Sequence, residues 1–438
     1  MTTASETPAL NIALLGGGTV GSQVARILTE DADALTQRIG AKLQLTKIFV
    51  RNPQATRDYQ LPAEYYSDDI DEVMADADIV VELMGGIDPA RELILKAIAQ
   101  GSNVVTGNKA LLATHGNELY EAAAQAGVQL SFEAAVAGAI PILRPLRDSL
   151  SGDRVTRVMG IVNGTTNYIL DQMDTTGASF NDALAEAQRL GYAEADPTAD
   201  VGGEDAAAKA AILAHLAFHA PFTLDQVYTE GIAEITDLDH KAAASAGYII
   251  KLLAIAEQLD DPAGVVLRVH PTLLPRQHPL ASVRDAYNAV FVEAENAGEL
   301  MFYGPGAGGA PTASAVMGDV MSIAKRKLRG GPGRTHTARR ELDSLEIGET
   351  TTRYMMVVRA ADAPGVLAKV AGTFAEHNVS IKSMNQTPDV ASTEEHKTAL
   401  LSFITHRAKE SQLAKTLEAT KSLDVVDDVL SVMRVEGK

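Results

Sequence analysis

At 438 residues the chain is too long for one compact core, and two or three domains are expected. Hydrophobic residues make up 46% and charged residues 22%, a soluble globular balance that excludes a disordered or collagen-like chain. A net charge of −19 argues against nucleic-acid and membrane-surface partners, and the lack of cysteine excludes disulfides, thiolate metal sites and a cysteine nucleophile. No apolar run approaches the ~18 residues of a membrane-spanning helix. The opening MTTASETPAL has neither the basic nor the apolar region of a secretory leader, so a cytoplasmic location is expected.

Residues 11–15 (NIALL) predict a strand, Gly16-Gly17-Gly18-Thr19-Val20-Gly21 follows at once, and a helix starts over 22–28. In that context G-x-G-x-x-G is a dinucleotide fingerprint: Gly16 permits the tight turn, Gly18 admits a pyrophosphate, and Gly21 lets helix and strand close up. Taken alone it could be a glycine-rich turn that binds nothing. Further strands are predicted over 43–50, 78–83 (DIVVEL) and 103–106, with a helix over 89–100. Strands alternating with helices predict a doubly wound parallel sheet, whose ligands sit at the carboxyl ends of its strands. The loops there hold Arg51, Gly85, Thr106 and Lys109. Arg51 stands where an NAD site usually carries a carboxylate for the ribose hydroxyl, and a guanidinium suits a 2′-phosphate. An ordinary solvated loop arginine is the alternative. NADPH is therefore the expected cofactor, with NADH as the second choice.

Residues 187–209 read AQRLGYAEADPTADVGGEDAAAK, an acidic loop running into a helix predicted from Gly203 to about His219. Asp205 and Lys209 are four residues apart, so they share one helix face, where the carboxylate can orient the ammonium. Such a lysine could donate a proton to a developing alkoxide. An ordinary ion pair beside a solvated acidic loop has the same spacing.

The run Gly191-Tyr192-Ala193, Asp196-Pro197, Asp200-Val201, Gly203, Asp205, Lys209 resembles the signature segment of the homoserine dehydrogenase family. The resemblance extends to residues 16–21, Gly107-Asn108-Lys109, Ser131-Phe132-Glu133, Asn163-Gly164-Thr165-Thr166-Asn167-Tyr168 and Gly231-Ile232, spanning most of residues 10–330. It implies that Lys109 contacts cofactor and substrate, that Glu194, Asp200 and Asp205 bind the homoserine amino end beside Gly191 and Tyr192, and that Lys209 transfers the proton. It also implies that Gly16, Gly18, Thr19, Val20, Gly21, Arg51, Gly85, Thr106 and Gly306 hold the cofactor, Gly306 lying in the later loop Gly304-Pro305-Gly306-Ala307-Gly308. A sodium ion bound mainly through backbone oxygens would fall at Glu133, Val136, Gly138 and Ile140. The implied reaction is NADPH-dependent reduction of L-aspartate 4-semialdehyde to L-homoserine. Without a cysteine, the thioester route of an aldehyde-oxidising enzyme is closed. A kinase domain ahead of the strand at Asn11 is not expected.

Arg329-Gly330-Gly331-Pro332-Gly333-Arg334 reads as a linker, after a helix predicted over 313–328. Strand 354–359, a helix to His377, strands 379–384 and 398–405, helix 410–420 and strand 425–435 then follow a ferredoxin-like β-α-β-β-α-β order. Asp362, Pro364, Gly365, Val366 and Leu367 at its first turn resemble the ACT domain, a regulatory amino-acid-binding module. Asp362, Pro364, Gly365 and Val366, with Asn385, are the expected effector site, for L-threonine; a dimerisation module without ligand is the alternative. The expected layout is α/β throughout: a Rossmann domain (1–133), an α/β catalytic and dimerisation domain (134–330, its end returning to the nucleotide domain), a linker (331–352) and an ACT domain (353–438). A homo-oligomer, dimer or tetramer, is expected. A non-catalytic amino-acid sensor is the rival reading, and the lysine and carboxylate set argues against it. If the module only regulates, cutting after Leu328 should leave an active, threonine-insensitive enzyme.

Overall fold

A computed structural model describes residues 7–330 and 340–437, so most of the glycine/proline stretch after Gly330 lies outside the described residues. Two compact units make up the chain. The first comprises the described residues up to Val158, Ala211–Asp225 and the described residues of 288–341; the second comprises Met159–Ala210, Gln226–Tyr287 and the described residues from Leu342 onward.

In the first unit, β1 (Ala9–Leu15), β2 (Lys42–Phe49), β3 (Tyr66–Ser67), β4 (Ile79–Glu82), β5 (Asn103–Thr106) and β6 (Leu130–Ser131) form a six-stranded sheet in the order β3-β2-β1-β4-β5-β6. All five pairings are parallel. This is the doubly wound sheet that the alternating pattern predicts, and its strand order reverses beside β1, where ligands bind. The helix Gly309–Arg329, longer than the predicted 313–328, packs onto this sheet's core through Ala313, Val316, Val320 and Ile323. At its start, a Cβ on Gly309 would lie 3.0 Å from the Thr19 methyl, so the late chain segment abuts the first nucleotide-binding helix.

The second unit contains two strands that the motifs do not announce, Tyr248–Asp260 and Ala263–Pro275, an antiparallel hairpin of thirteen residues each. It also contains the ferredoxin-like module: strands Thr351–Ala361, Ile381–Pro388, Thr398–Thr405 and Val426–Val435 with helices Val366–Glu376 and Glu410–Lys421. Tyr354, Met356, Val358 and Ala360 alternate along its first strand into a core with Val370, Phe374 and Phe403. The module's last strand runs parallel to Ala263–Pro275, pairing Arg434 with Thr272 and Val435 with Leu273. It is therefore part of the sheet of the second unit, which a freely linked appendage would not be. Among the described residues, no helix is long and apolar enough to cross a membrane.

Candidate active site

The turn after β1 is built by exclusion of side chains. Gly16 has φ +107°, and a Cβ there would stand 2.7 Å from the Leu83 carbonyl oxygen. A Cβ on Gly21 would fall 2.0 Å from the Gly16 oxygen, so the helix Thr19–Glu30 and β1 approach only without one. At Gly18 the Cβ direction is open space, in front of the helix N-terminus and its unpaired N–H groups. A cavity of about 780 Å³ opens there, lined by Gly16, Gly18, Arg51, Asn52, Arg57 and Gly85 among others. That volume, the glycine cradle and the cationic far wall fit a dinucleotide.

Other expected cofactor residues serve the frame. Thr19 and Val20 open the helix. Thr106 is fully buried and does not line the cavity; its hydroxyl donates to Glu82 Oε2 at 2.6 Å and accepts the Asn108 N–H at 3.0 Å. Glu82 Oε1 accepts the Met84 N–H at 2.7 Å, so this pair shapes the tips of β4 and β5. Lys109 is exposed at the first turn of the helix Lys109–Ala126. Asn108 caps that helix through Leu111 N–H and donates to the Gly86 carbonyl at 2.6 Å, tying two loops together. Gly306 lies against the Asn288 amide, 2.1 Å from a Cβ placed on it, and a Cβ on Gly138 would meet the Gly306 oxygen at 2.5 Å.

In the second unit the signature residues converge. Lys209, on the helix Glu204–Phe218, donates to Asp205 Oδ2 and to the Val162 carbonyl, each at 2.6 Å, and both side chains of the pair are buried. Asn163 Nδ2 donates to Asp205 Oδ2 at 2.9 Å and to Asp200 Oδ1 at 2.7 Å, while its Oδ1 caps the helix Gly164–Thr176 through Thr166 N–H. Thr165 Oγ1 donates to the Tyr192 carbonyl at 2.5 Å. Glu194, Gly191 and Tyr192 are exposed on the loop that follows the helix Phe180–Leu190, with the Tyr192 ring 5.1 Å from that of Tyr168. One amide thus holds two carboxylates and, through Asp205, the lysine.

The C-terminal turn is open. Asp362, Pro364 and Gly365 are exposed, Gly365 (φ +88°) heads the helix Val366–Glu376, and Val366 is buried beneath it. Asp362 Oδ1 accepts Gln386 Nε2 at 3.2 Å, and Asn385 lies exposed on the same strand as that glutamine.

Comparison with known proteins agrees with this geometry. The family description "Homoserine dehydrogenase" matches residues 141–321, "Homoserine dehydrogenase, NAD binding domain" matches 16–133, and "ACT domain" matches 354–425. A homoserine dehydrogenase of Corynebacterium glutamicum is 52% identical over 433 residues, covering 98% of this chain and 96% of its own. The chain belongs to the homoserine dehydrogenase family. It is an oxidoreductase with an NAD-binding Rossmann domain and a C-terminal ACT domain. A crystal structure of the homoserine dehydrogenase of Thiobacillus denitrificans superposes with a TM-score of 0.89 at 38% identity, covering 98% of each chain. A hyperthermophilic archaeal homoserine dehydrogenase mutant, solved in complex with NADPH, aligns at 28% identity and a TM-score of 0.61, covering 73% of this chain and 98% of its own.

Several residues of the cavity wall and of the carboxylate cluster carry no motif-assigned role. Asn52, Thr56 and Arg57 share the cavity wall with Arg51, and Arg57 holds the loop by donating to the Asn52 and Ala55 carbonyls while stacking over Tyr66. Only a basic residue six positions past Arg51 hints at this. Asn163 lies in a motif that by itself assigns it no role. Lys251 gave no signal: it is fully buried and donates to Asn167 Oδ1 at 2.8 Å and to the Val283 carbonyl at 2.6 Å. Burial lowers its pKa to about 8 against the opposing pull of Asp171 and Asp174, with 10.5 the ordinary value. A depressed lysine pKa means that the unfolded chain binds the extra proton between those values, so stability rises with pH across that window. Lys251→Met removes this dependence, worth about 3 kcal/mol at most. Urea midpoints should show wild type gaining on the variant from pH 8 to 10, and a constant difference would contradict the shift.

Proposed function

We propose that the chain catalyses the reversible NADPH-dependent reduction of L-aspartate 4-semialdehyde to L-homoserine, in the synthesis of threonine, methionine and isoleucine, under feedback by L-threonine through the ACT domain. The observation that carries the reading is the buried Lys209 ammonium between Asp205 and the Val162 carbonyl, with Asn163 bonded to both Asp200 and Asp205. NADPH, when bound, supplies the hydride. Lys209 donates a proton to the carbonyl oxygen as it becomes the alcohol, and Asp205, bonded to it at 2.6 Å, orients the amine. Glu194 and Asp200 take the substrate ammonium, with Gly191 and Tyr192 as neighbouring wall, and Lys109 bridges cofactor and substrate. Gly16, Gly18, Thr19, Val20 and Gly21 cradle the pyrophosphate, with Gly85 and Gly306 alongside and Thr106 shaping the loop tips.

Arg51 supports the choice of NADPH, since the end of β2 carries a guanidinium and no carboxylate. Arg51→Ala should raise KM for NADPH about tenfold, the scale of one charge-assisted contact, with KM for NADH changed little. Equal effects on both cofactors would remove the assignment. For sodium, the Glu133 carboxylate already accepts the N–H groups of Ile142, Leu143 and Arg144 and the Arg144 guanidinium. The backbone oxygens of Glu133, Val136, Gly138 and Ile140 are therefore the donor set proposed, a hard oxygen site suited to such an ion. For the effector, Asp362, Pro364, Gly365, Val366 and Asn385 form the proposed site. The deciding assay supplies L-homoserine with NADP or NAD, with and without millimolar L-threonine. No cofactor reduction refutes the reaction, and indifference to threonine refutes the feedback.

A further inference from the structure

We infer that Arg434, on the last strand of the C-terminal module, is a positioning residue for the homoserine subsite, acting through Glu230 on the backbone between Asp200 and Asp205. This rests on the reading that those carboxylates take the substrate.

The strand Val426–Val435 meets Ala263–Pro275 at a seam, and just past it the Glu436 N–H donates to the Leu273 carbonyl at 3.0 Å. There Arg434 makes contacts in two directions. Its Nε donates to Glu410 Oε1 at 2.8 Å within the module, and its Nη1 donates to Glu230 Oε2 at 2.9 Å outside it. The Tyr228 and Tyr354 rings flank the guanidinium at 5.3 and 5.8 Å. Burial works against the charge, but Glu410, Tyr354 and Glu230 outweigh it, so Arg434 stays cationic.

Glu230 is where the seam reaches the substrate loop. Its N–H donates to the Val269 carbonyl at 2.8 Å, and the next residue, Gly231, presses on Val201 and Gly202. A Cβ on Gly231 would stand 2.3 Å from the Val201 oxygen, and the Ile232 N–H donates to that same oxygen at 2.8 Å. A Cβ on Gly203 would lie 3.0 Å from the Thr229 methyl. Backbone against backbone leaves no flexible side chain to absorb a shift, so a displacement of Glu230 passes to Val201–Gly203. Asp200 precedes that stretch and Asp205 follows it, and Asn163 binds both.

Glu230 also makes the test clean. Its side chain is 43% exposed, and an ion pair to an exposed carboxylate adds little to stability. A change in substrate affinity without a change in melting temperature is then the mark of positioning. Steady-state kinetics and thermal melts on the full chain compare Glu230→Gln, Arg434→Met, the double variant and Arg434→Lys. Glu230→Gln should raise homoserine KM about threefold and Arg434→Met about tenfold, with cofactor KM within about twofold and the Glu230→Gln melt unchanged. The double variant should match Arg434→Met alone, since both act through one contact, and Arg434→Lys should fall between. A folded Glu230→Gln with wild-type homoserine KM, or with both KM values raised alike, overturns the inference. Asp200→Asn separates the two levels. If it leaves homoserine KM unchanged the subsite reading itself fails, and if it raises KM while Glu230→Gln does not, only the positioning role fails.

Discussion

Lys209→Ala is expected to lower turnover by about two orders of magnitude or more, the usual scale for a positioned proton donor, while the cofactor still binds. Two contacts of 2.6 Å, to Asp205 and to the Val162 carbonyl, fix the ammonium. A group so constrained gives its proton at one defined point, which is what a donor to a developing alkoxide needs. On the proposed reading alanine removes the proton source, and it leaves Asp205, already bonded to Asn163, as a carboxylate in a buried place. Cofactor affinity should survive because the glycine turn and the cavity beside it belong to the first unit and Lys209 to the second. Lys109→Ala should cost turnover on a similar scale, but with cofactor KM raised as well, since that lysine opens a helix of the nucleotide-binding unit. Single-turnover rates with NADPH binding followed by fluorescence distinguish the two. Near-normal turnover in Lys209→Ala would reduce the residue to a helix ion pair.

Removing the chain beyond Leu328 is expected to unfold or inactivate the enzyme, contrary to the simple view of the module as a detachable regulator. The reason is the seam. Arg268 is nearly fully buried, and its Nη2 donates to Glu436 Oε1 at 2.8 Å and Glu257 Oε2 at 2.7 Å. Truncation strips Glu436 away, uncovers the edge of Ala263–Pro275 and leaves Glu230 without Arg434. Breaking a buried ion pair from one side costs about 3–5 kcal/mol, a large part of the roughly 5–15 kcal/mol that holds a domain folded. The truncated chain should therefore melt far below the full chain or fail to stay soluble. A truncated enzyme with normal melting temperature and homoserine KM would show the seam to be dispensable. The effector site is thus better tested by Asp362→Ala in the full chain, which should raise the threonine concentration needed for half-inhibition.

Much of the site was legible because its chemistry is local. The turn at Gly16 and Gly21 must lack side chains whatever surrounds it, so the fingerprint survives as a spacing. The Asp205–Lys209 pair is a property of one helix face, and the ferredoxin-like module announces itself through alternating strands and two helices in order. The predicted strand 398–405 matches Thr398–Thr405, and strand 379–384 moves to Ile381–Pro388 because the Val379 N–H is taken by the Phe374 carbonyl of the preceding helix at 2.8 Å.

Other features have no local signature. The return of residues 309–329 to the nucleotide domain is implied by the family resemblance, but their periodicity does not say that Val316, Val320 and Ile323 join its core, because it reports which face is buried and not against what. Lys251 meets Asn167 across 84 positions and Asn163 meets Asp205 across 42, and no motif spacing encodes such pairs. The seam lies furthest from reach of the sequence. Glu230 and Arg434 are 204 residues apart, each an ordinary charged residue in its own strand or loop. Only a shared partner strand, Ala263–Pro275, which takes the Glu230 N–H at Val269 and pairs Thr272 with Arg434, brings them together. Local patterns determined the cofactor turn, the lysine and the family; the sheet that joins the C-terminal module to the rest of the second unit was decided by tertiary packing alone, because burial and pairing over such distances depend on the whole chain being folded.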